Sequence, residues 1–160
     1  MNLYQRTRAR RLAVKSAYLL LHNAQAVHYT QDAVQRWEGI RLHKRAYLGQ
    51  YPAHSDCSAS TTWMLWDATR SLKLPDVVNA TNWQSGYTGT QQQHGVRVGL
   101  NRWRFLRGDL VFYGDQGGGV AEHVAIYVGG GQVISQGSEA GPFLLPWAYR
   151  PVNEVRRYLR

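Results

Sequence analysis

The order of patterns along these 160 residues predicts an α+β domain, with helices first and antiparallel strands after. Three observations carry that reading. Three helix-period segments lie within the first 71 residues, short apolar runs set off by glycine turns follow Gly108, and the single cysteine, Cys57, stands where the last of those helices begins. The apolar fraction of 44% and six tryptophans indicate a packed core, and a chain of this length reads as one domain, 1–160. One cysteine excludes an internal disulfide and a multi-cysteine zinc site, and no cofactor or metal is expected.

Val14, Ala17, Tyr18, Leu21 and Ala24 recur at helical spacing, which predicts a helix over about 9–25 with one face on the body. Thr30 is placed to cap a second helix through Val34 and Trp37 that ends at Gly39. His43 to Tyr51 reads as a polar connection, with Gly49 and Pro52 as breakers. Ser55 or Asp56 caps the next helix, Cys57–Ser71, whose Trp63 and Trp66 read as core. From Leu74 to Leu100 the chain is polar and glycine-rich, a loop with one short helix near Asn82. Strands follow at Asp109–Tyr113, His123–Val128, Gln132–Gln136 and Glu154–Leu159, the middle two joined as a hairpin through Gly129-Gly130-Gly131.

The formal charge of +9 calls for an acidic partner. Residues 1–29 hold five basic side chains and no acid, a basic helical arm ahead of a core spanning 45–160. A second acid-free cluster holds Arg97, Arg102, Arg104 and Arg107. No apolar run reaches the roughly 18–20 residues that span a membrane. The N-terminus imitates a secretory signal, but Lys15 interrupts its apolar stretch, so it reads as an amphipathic helix. No nucleic-acid motif is present.

A cysteine at a helix start and a histidine on a strand form the minimum kit for thiol nucleophilic catalysis. The first-turn amides and helix dipole favour thiolate there. Of six histidines, His22, His28, His43 and His94 lie in polar sequence and His54 stands three residues before Cys57, on the wrong side of the cap, whereas His123 opens an apolar strand after a glycine-rich turn. The partner that orients the imidazole depends on the hairpin. A two-residue turn at Gly129-Gly130 sets His123 opposite Gln136, whereas a three-residue turn puts Ser135 on His123's face. Gln136 is the expected residue, with Ser135 and Glu139 as alternatives. Trp83, Tyr87 and Trp103 are candidate groove walls or turn packing.

Asp56-Cys57-Ser58, then Arg107-Gly108-Asp109-Leu110-Val111-Phe112-Tyr113, then His123-Val124-Ala125-Ile126-Tyr127-Val128-Gly129 together resemble the NlpC-type cysteine peptidases of bacterial cell-wall turnover, over about residues 45–138. The blocks Asn82–Thr90 and Ser135–Pro142 also resemble the peptidase modules of endolysins from phages of actinobacteria. The resemblance implies a papain-like α+β fold with the cysteine heading a helix packed on an antiparallel sheet. It makes Cys57 the nucleophile and His123 the base and acid. It also calls for His, Asn or Gln as the third residue, where an ungapped count gives Ser135. Tyr47, with Tyr51 as the alternative, fits the family's site-lining tyrosine, and Asp56 and Ser58 belong to the cysteine motif, which helix capping alone also explains. The implied function is hydrolysis of peptidoglycan stem peptides, by a phage endolysin or its catalytic subunit. Such a monomeric enzyme, with a separate wall-binding subunit, would build up in the host cytoplasm and reach the wall after membrane breach; a secreted or virion-associated enzyme is the variant. The alternatives are an amidase or acyltransferase on the same scaffold, or a non-catalytic basic module binding wall polymer or nucleic acid.

Overall fold

A computed structural model of the chain describes residues 1–42, 48–74, 77–79, 86–114, 119–137 and 141–160. In chain order the helices are α1 (Leu3–His22), α2 (Ala33–Leu42), α3 (Cys57–Ser71) and α4 (Thr88–Gln92). The strands are β1 (His28–Tyr29), β2 (His54–Ser55), β3 (Val96–Val98), β4 (Leu110–Tyr113), β5 (His123–Gly129), β6 (Gln132–Ser135), β7 (Phe143–Pro146) and β8 (Val152–Arg157). Six of these strands make one sheet in the order β3-β8-β4-β5-β6-β7, with every neighbouring pair antiparallel. The α+β expectation holds, with α1 and the Cys57-headed α3 packed on one face of that antiparallel sheet.

Strand alternation divides the core. Leu110, Phe112, Val124, Ile126 and Ile134 face the helices, while Val111, Tyr113, Ala125, Tyr127 and Val133 pack on the other face with Phe105 and Val155. Helix α3 is fixed by burial: Trp63, Leu65 and Ala68 are 0% exposed, and a fully buried large apolar side chain contributes roughly 1.5–3 kcal/mol. Trp66 is only half-buried, with the Arg70 guanidinium 3.9 Å from its ring.

Helix α1 starts at Leu3, earlier than its apolar spacing indicates. Asn2 Oδ1 accepts from the Gln5 amide (2.8 Å) and Gln5 Oε1 from the Asn2 amide (3.0 Å), a reciprocal cap. Ala9, Ala13 and Ala17 are all fully buried at four-residue spacing, and such small side chains let α1 lie against α3. The basic segment is therefore docked onto the body, with Arg8, Arg11 and Lys15 on its outer face.

One buried carboxylate ties the ends together. Asp109 is 0% exposed and accepts from Arg157 Nε (2.9 Å), Arg157 Nη2 (2.8 Å) and the Leu106 amide (2.8 Å), with Arg10 Nη1 at 3.5 Å. The Asp109 motif thereby clamps β4 to β8 and α1.

The hairpin departs from the expected register. Ala125 pairs with Ser135 and Tyr127 with Val133, then Gly129 pairs with Gln132, so Val128 is bulged and the turn is Gly130-Gly131. Gly129, Gly130 and Gly131 have φ of +100°, +63° and +78°, a run that side chains bearing Cβ resist. Edge strands β3 and β7, the parallel pair β1–β2 and helix α4 were not anticipated. Strand β3 is only three residues long, β7 does not alternate, and the parallel pair joins distant segments. The last strand lies at Val152–Arg157, two residues earlier than expected. The short helix expected near Asn82 lies outside the described residues.

Replacing Asp109 by Ala leaves Arg157 without its buried partner. Urea denaturation is expected to show a loss of about 3–5 kcal/mol. Arg97→Ala removes a largely exposed side chain 3.5 Å from Glu154, which keeps its Arg156 partner, and should cost about 1 kcal/mol or less.

Candidate active site

Asp56 determines how α3 begins. Its extended backbone makes it the N-cap, and its Oδ1 accepts from the Ala59 amide (2.7 Å) and the Ser58 hydroxyl (3.0 Å). Its Oδ2 pairs with Arg36 on α2. These bonds place Cys57 as the first residue of the helix, buried to 7% exposure.

Around the thiol lies a cavity of about 320 Å³ whose described lining includes Tyr29, Arg36, Asp56, Cys57, Ser58 and His123. Gln31, Tyr87, Thr88, Glu122 and Arg150 add further polar lining. A larger groove, about 640 Å³, runs along α1 past Tyr4, Arg8, Arg11 and Lys15 but has no thiol or imidazole among its described lining residues.

His123, 5% exposed, opens β5 beside Tyr113, with ring centroids 5.8 Å apart. Its Nε2 lies 2.7 Å from Ser135 Oγ, and Ser135 Oγ lies 2.9 Å from the Tyr149 hydroxyl. The bulge at Val128 keeps Ser135 on the same face as Ala125 and His123. The expected pairing of His123 with Gln136 is therefore corrected in favour of Ser135. Alternation carries Gln136 toward Ile134 and the helices, and its buried amide nitrogen and oxygen make no hydrogen bond among the described residues.

Tyr47 and Glu139 lie outside the described residues. Tyr51 packs, partly buried, against the helix-side core instead of lining the cavity. Sequence reasoning missed Tyr29, which reaches the cavity because β1 pairs in parallel with β2 and sets it beside Ser55. Its hydroxyl accepts from Gln31 Nε2 at 2.9 Å, and burial, then the nearby thiol, raise its pKa. Thr88 was also missed: its Oγ1 lies 3.8 Å from Cys57 Sγ. The buried Gln91 amide holds α4 there, donating to the Ser58 carbonyl (2.9 Å) and Thr62 Oγ1 (3.0 Å). An aromatic residue just before a short helix was the available signal for Tyr29; nothing local marks Thr88.

The sequence argument for a thiol favouring its ionised form is reversed by the surroundings. Burial first, and the Asp56 carboxylate second, push the Cys57 thiol up. The Val124 amide, the Thr88 hydroxyl and the Ser58 amide pull it down, without prevailing. The resting group is thus a thiol that needs a base. His123 shares its cavity and keeps its other ring nitrogen, Nδ1, clear of the Ser135 bond. No group of metal-binding side chains occurs among the described residues.

The NlpC/P60 family model matches residues 29–141, beginning at Tyr29 and spanning both Cys57 and His123. The chain belongs to the NlpC/P60 family. Among solved structures, NlpC1 from Trichomonas vaginalis is 20% identical, with 91% of this chain and 44% of that one covered and a TM-score of 0.55. An NlpC/P60 family protein from Bacillus cereus is 23% identical, with coverage of 85% and 43% and a TM-score of 0.53. This chain thus spans less than half the length of either. The NlpC/P60 domain of the peptidoglycan hydrolase SagA is 22% identical, with coverage of 79% and 98% and a TM-score of 0.51. No curated protein sequence matches the chain. These likenesses establish the NlpC/P60 fold, and no described helix is long and apolar enough to cross a membrane.

Asp56→Asn tests the electrostatics, because asparagine retains the cap but not the charge. A carboxylate beside the thiol disfavours thiolate, so removing it should lower the thiol pKa and speed iodoacetamide alkylation of Cys57 at neutral pH. A higher alkylation pKa would refute the assignment of Asp56 as a raising influence.

Proposed function

We propose that this NlpC/P60 chain is a cysteine endopeptidase that hydrolyses amide bonds in the stem peptides of bacterial peptidoglycan. The observation that carries the reading is the meeting of Cys57, at the head of α3, and His123, at the head of β5, in one polar cavity. Its lining carries both charge signs, in Arg150 and Glu122, which suits a peptide bearing carboxylates and amines. The SagA domain, a peptidoglycan hydrolase by name, supports the substrate class.

The steps follow from these groups. His123 takes the Cys57 proton as sulfur attacks the carbonyl carbon, while first-turn amides of α3 face the developing oxyanion. The imidazolium returns that proton to the leaving amine as the carbon–nitrogen bond breaks. Water, deprotonated by His123, then cleaves the thioester and the proton goes back to sulfur. Ser135 holds the ring through Nε2, in the role first expected of Gln136.

The endolysin reading rests on the likeness of the blocks at 82–90 and 135–142 to phage peptidase modules. It implies storage in a host cytoplasm and release onto the wall, where the charge of +9 favours an anionic envelope.

Mass spectrometry of peptidoglycan digested with wild type and with Cys57→Ala tests the enzyme. Wild type should generate new amino termini that name the bond, and Cys57→Ala should generate none while melting at the same temperature. Undiminished hydrolysis by Cys57→Ala would exclude the thiol route.

A further inference from the structure

Ser135 is a weak orienter taken alone. A histidine, asparagine or glutamine presents its acceptor from a rigid plane, whereas a serine hydroxyl rotates about its Cβ–Oγ bond and carries one hydrogen and two lone pairs. With the hydrogen turned toward the imidazole, Ser135 donates to Nε2, and the ring is held with its own hydrogen on Nδ1. That tautomer cannot accept a proton from Cys57 at Nδ1. With the hydrogen turned away, Oγ accepts from Nε2–H and leaves Nδ1 as the base. Something must choose between the two.

The geometry points to Tyr149 as the positioning residue that makes this choice, a fourth member of the site acting through Ser135. Its hydroxyl stands 2.9 Å from Ser135 Oγ, in the turn between β7 and β8, while His123 Nε2 stands 2.7 Å from the same oxygen. Either hydroxyl can donate in that contact; the order that leaves an Oγ lone pair for Nε2–H, and so Nδ1 as the base, has Ser135 donating to the Tyr149 oxygen. No proton leaves the chain of groups: the thiol proton arrives at Nδ1, Nε2 keeps its own, and the hydroxyls only polarise.

Tyr149 is itself held on two sides. Its ring meets Tyr113 edge-on at 4.9 Å, and the Arg150 guanidinium lies 5.4 Å from the ring centroid. Tyr113 in turn donates to the Trp147 carbonyl at 2.9 Å, fastening the turn to β4. The His123 ring packs beside this tyrosine pair, 5.8 Å from Tyr113 and 6.5 Å from Tyr149, which restrains the imidazole when its hydrogen bonds are rearranged.

This inference rests on Cys57 and His123 being nucleophile and base, and a double-mutant cycle separates the two claims. Tyr149→Phe, Ser135→Ala and the double variant are compared by turnover of soluble muropeptides and by iodoacetamide alkylation of Cys57, which needs no substrate. Tyr149→Phe keeps the ring packing and should lower kcat about 10-fold with KM unchanged; Ser135→Ala should lower it about 100-fold, within the range of general-base effects. The double variant should be no slower than Ser135→Ala, since the effect assigned to the Tyr149 hydroxyl passes through that oxygen. Nitrogen-15 spectra of His123 should show the Nε2–H tautomer in wild type and a mixture in Tyr149→Phe. Equal losses from Tyr149→Phe with and without Ser135, a change confined to KM, or an unchanged tautomer would each overturn the assignment. Absence of turnover in wild type as well, with the tautomer change in Tyr149→Phe intact, would instead refute the substrate and leave Tyr149 in place.

Discussion

Asp56 is the side chain on which the site's construction depends, and it serves two needs that oppose each other. As N-cap it satisfies the Ala59 amide, fixes the Ser58 hydroxyl and ties α2 through Arg36, so the start of α3 is held from three directions. As a carboxylate beside Cys57 it disfavours the thiolate. Helix capping alone is typically worth about 1 kcal/mol, and the Arg36 pair adds to it. The arrangement therefore gives up ready ionisation of the thiol for a rigid location of sulfur. A protonated thiol in a buried cavity resists idle oxidation and alkylation, and it becomes nucleophilic only when an imidazole is aimed at it. The burden of activation moves to His123 and to whatever aims it.

What was legible in the sequence follows from how local each determinant is. Cys57 and His123 were visible because each begins an element whose own residues announce it: a short polar cap before an apolar helix, and a glycine turn before an apolar strand. The cap residue Asp56 was visible for the same reason. Tyr29 and Thr88 were not, because they arrive through contacts no window contains. Tyr29 depends on a two-residue parallel pairing between segments 26 positions apart, and Thr88 on a buried amide, Gln91, that reads as one of three similar glutamines in a loop. Helix α1 shows the intermediate case. Its cap at Asn2 and Gln5 was present in the sequence but lay outside the apolar period used to find the helix.

The choice between Ser135 and Gln136 was posed correctly as a question of hairpin register, and residue chemistry favoured the wrong neighbour. Glutamine is the better hydrogen-bonding partner for an imidazole, but a strand side chain has only two directions to point. Once Ala125 pairs with Ser135, Gln136 is carried to the helix side and Ser135 to the ring. Geometry outranks chemistry here because moving the register by one residue would turn Val133 out of its cluster and Ile134 out of the helix-side core. Burying two large aliphatic side chains is worth several kcal/mol, against about 1 kcal/mol for one neutral hydrogen bond.

That register is set at the far end of β5. The strand runs seven residues from His123 to Gly129, roughly 20 Å at the usual rise, so the turn lies well away from the thiol. Three consecutive glycines at positive φ permit a two-residue turn with one bulged residue before it, and the bulge supplies the single-residue offset that brings Ser135 to the imidazole. Without the bulge, the same turn would present Gln136's face to His123. The hairpin tip and the site are thus one device: the tip fixes the count, the aliphatic pairs enforce it, and the sheet delivers the hydroxyl on which His123 rests.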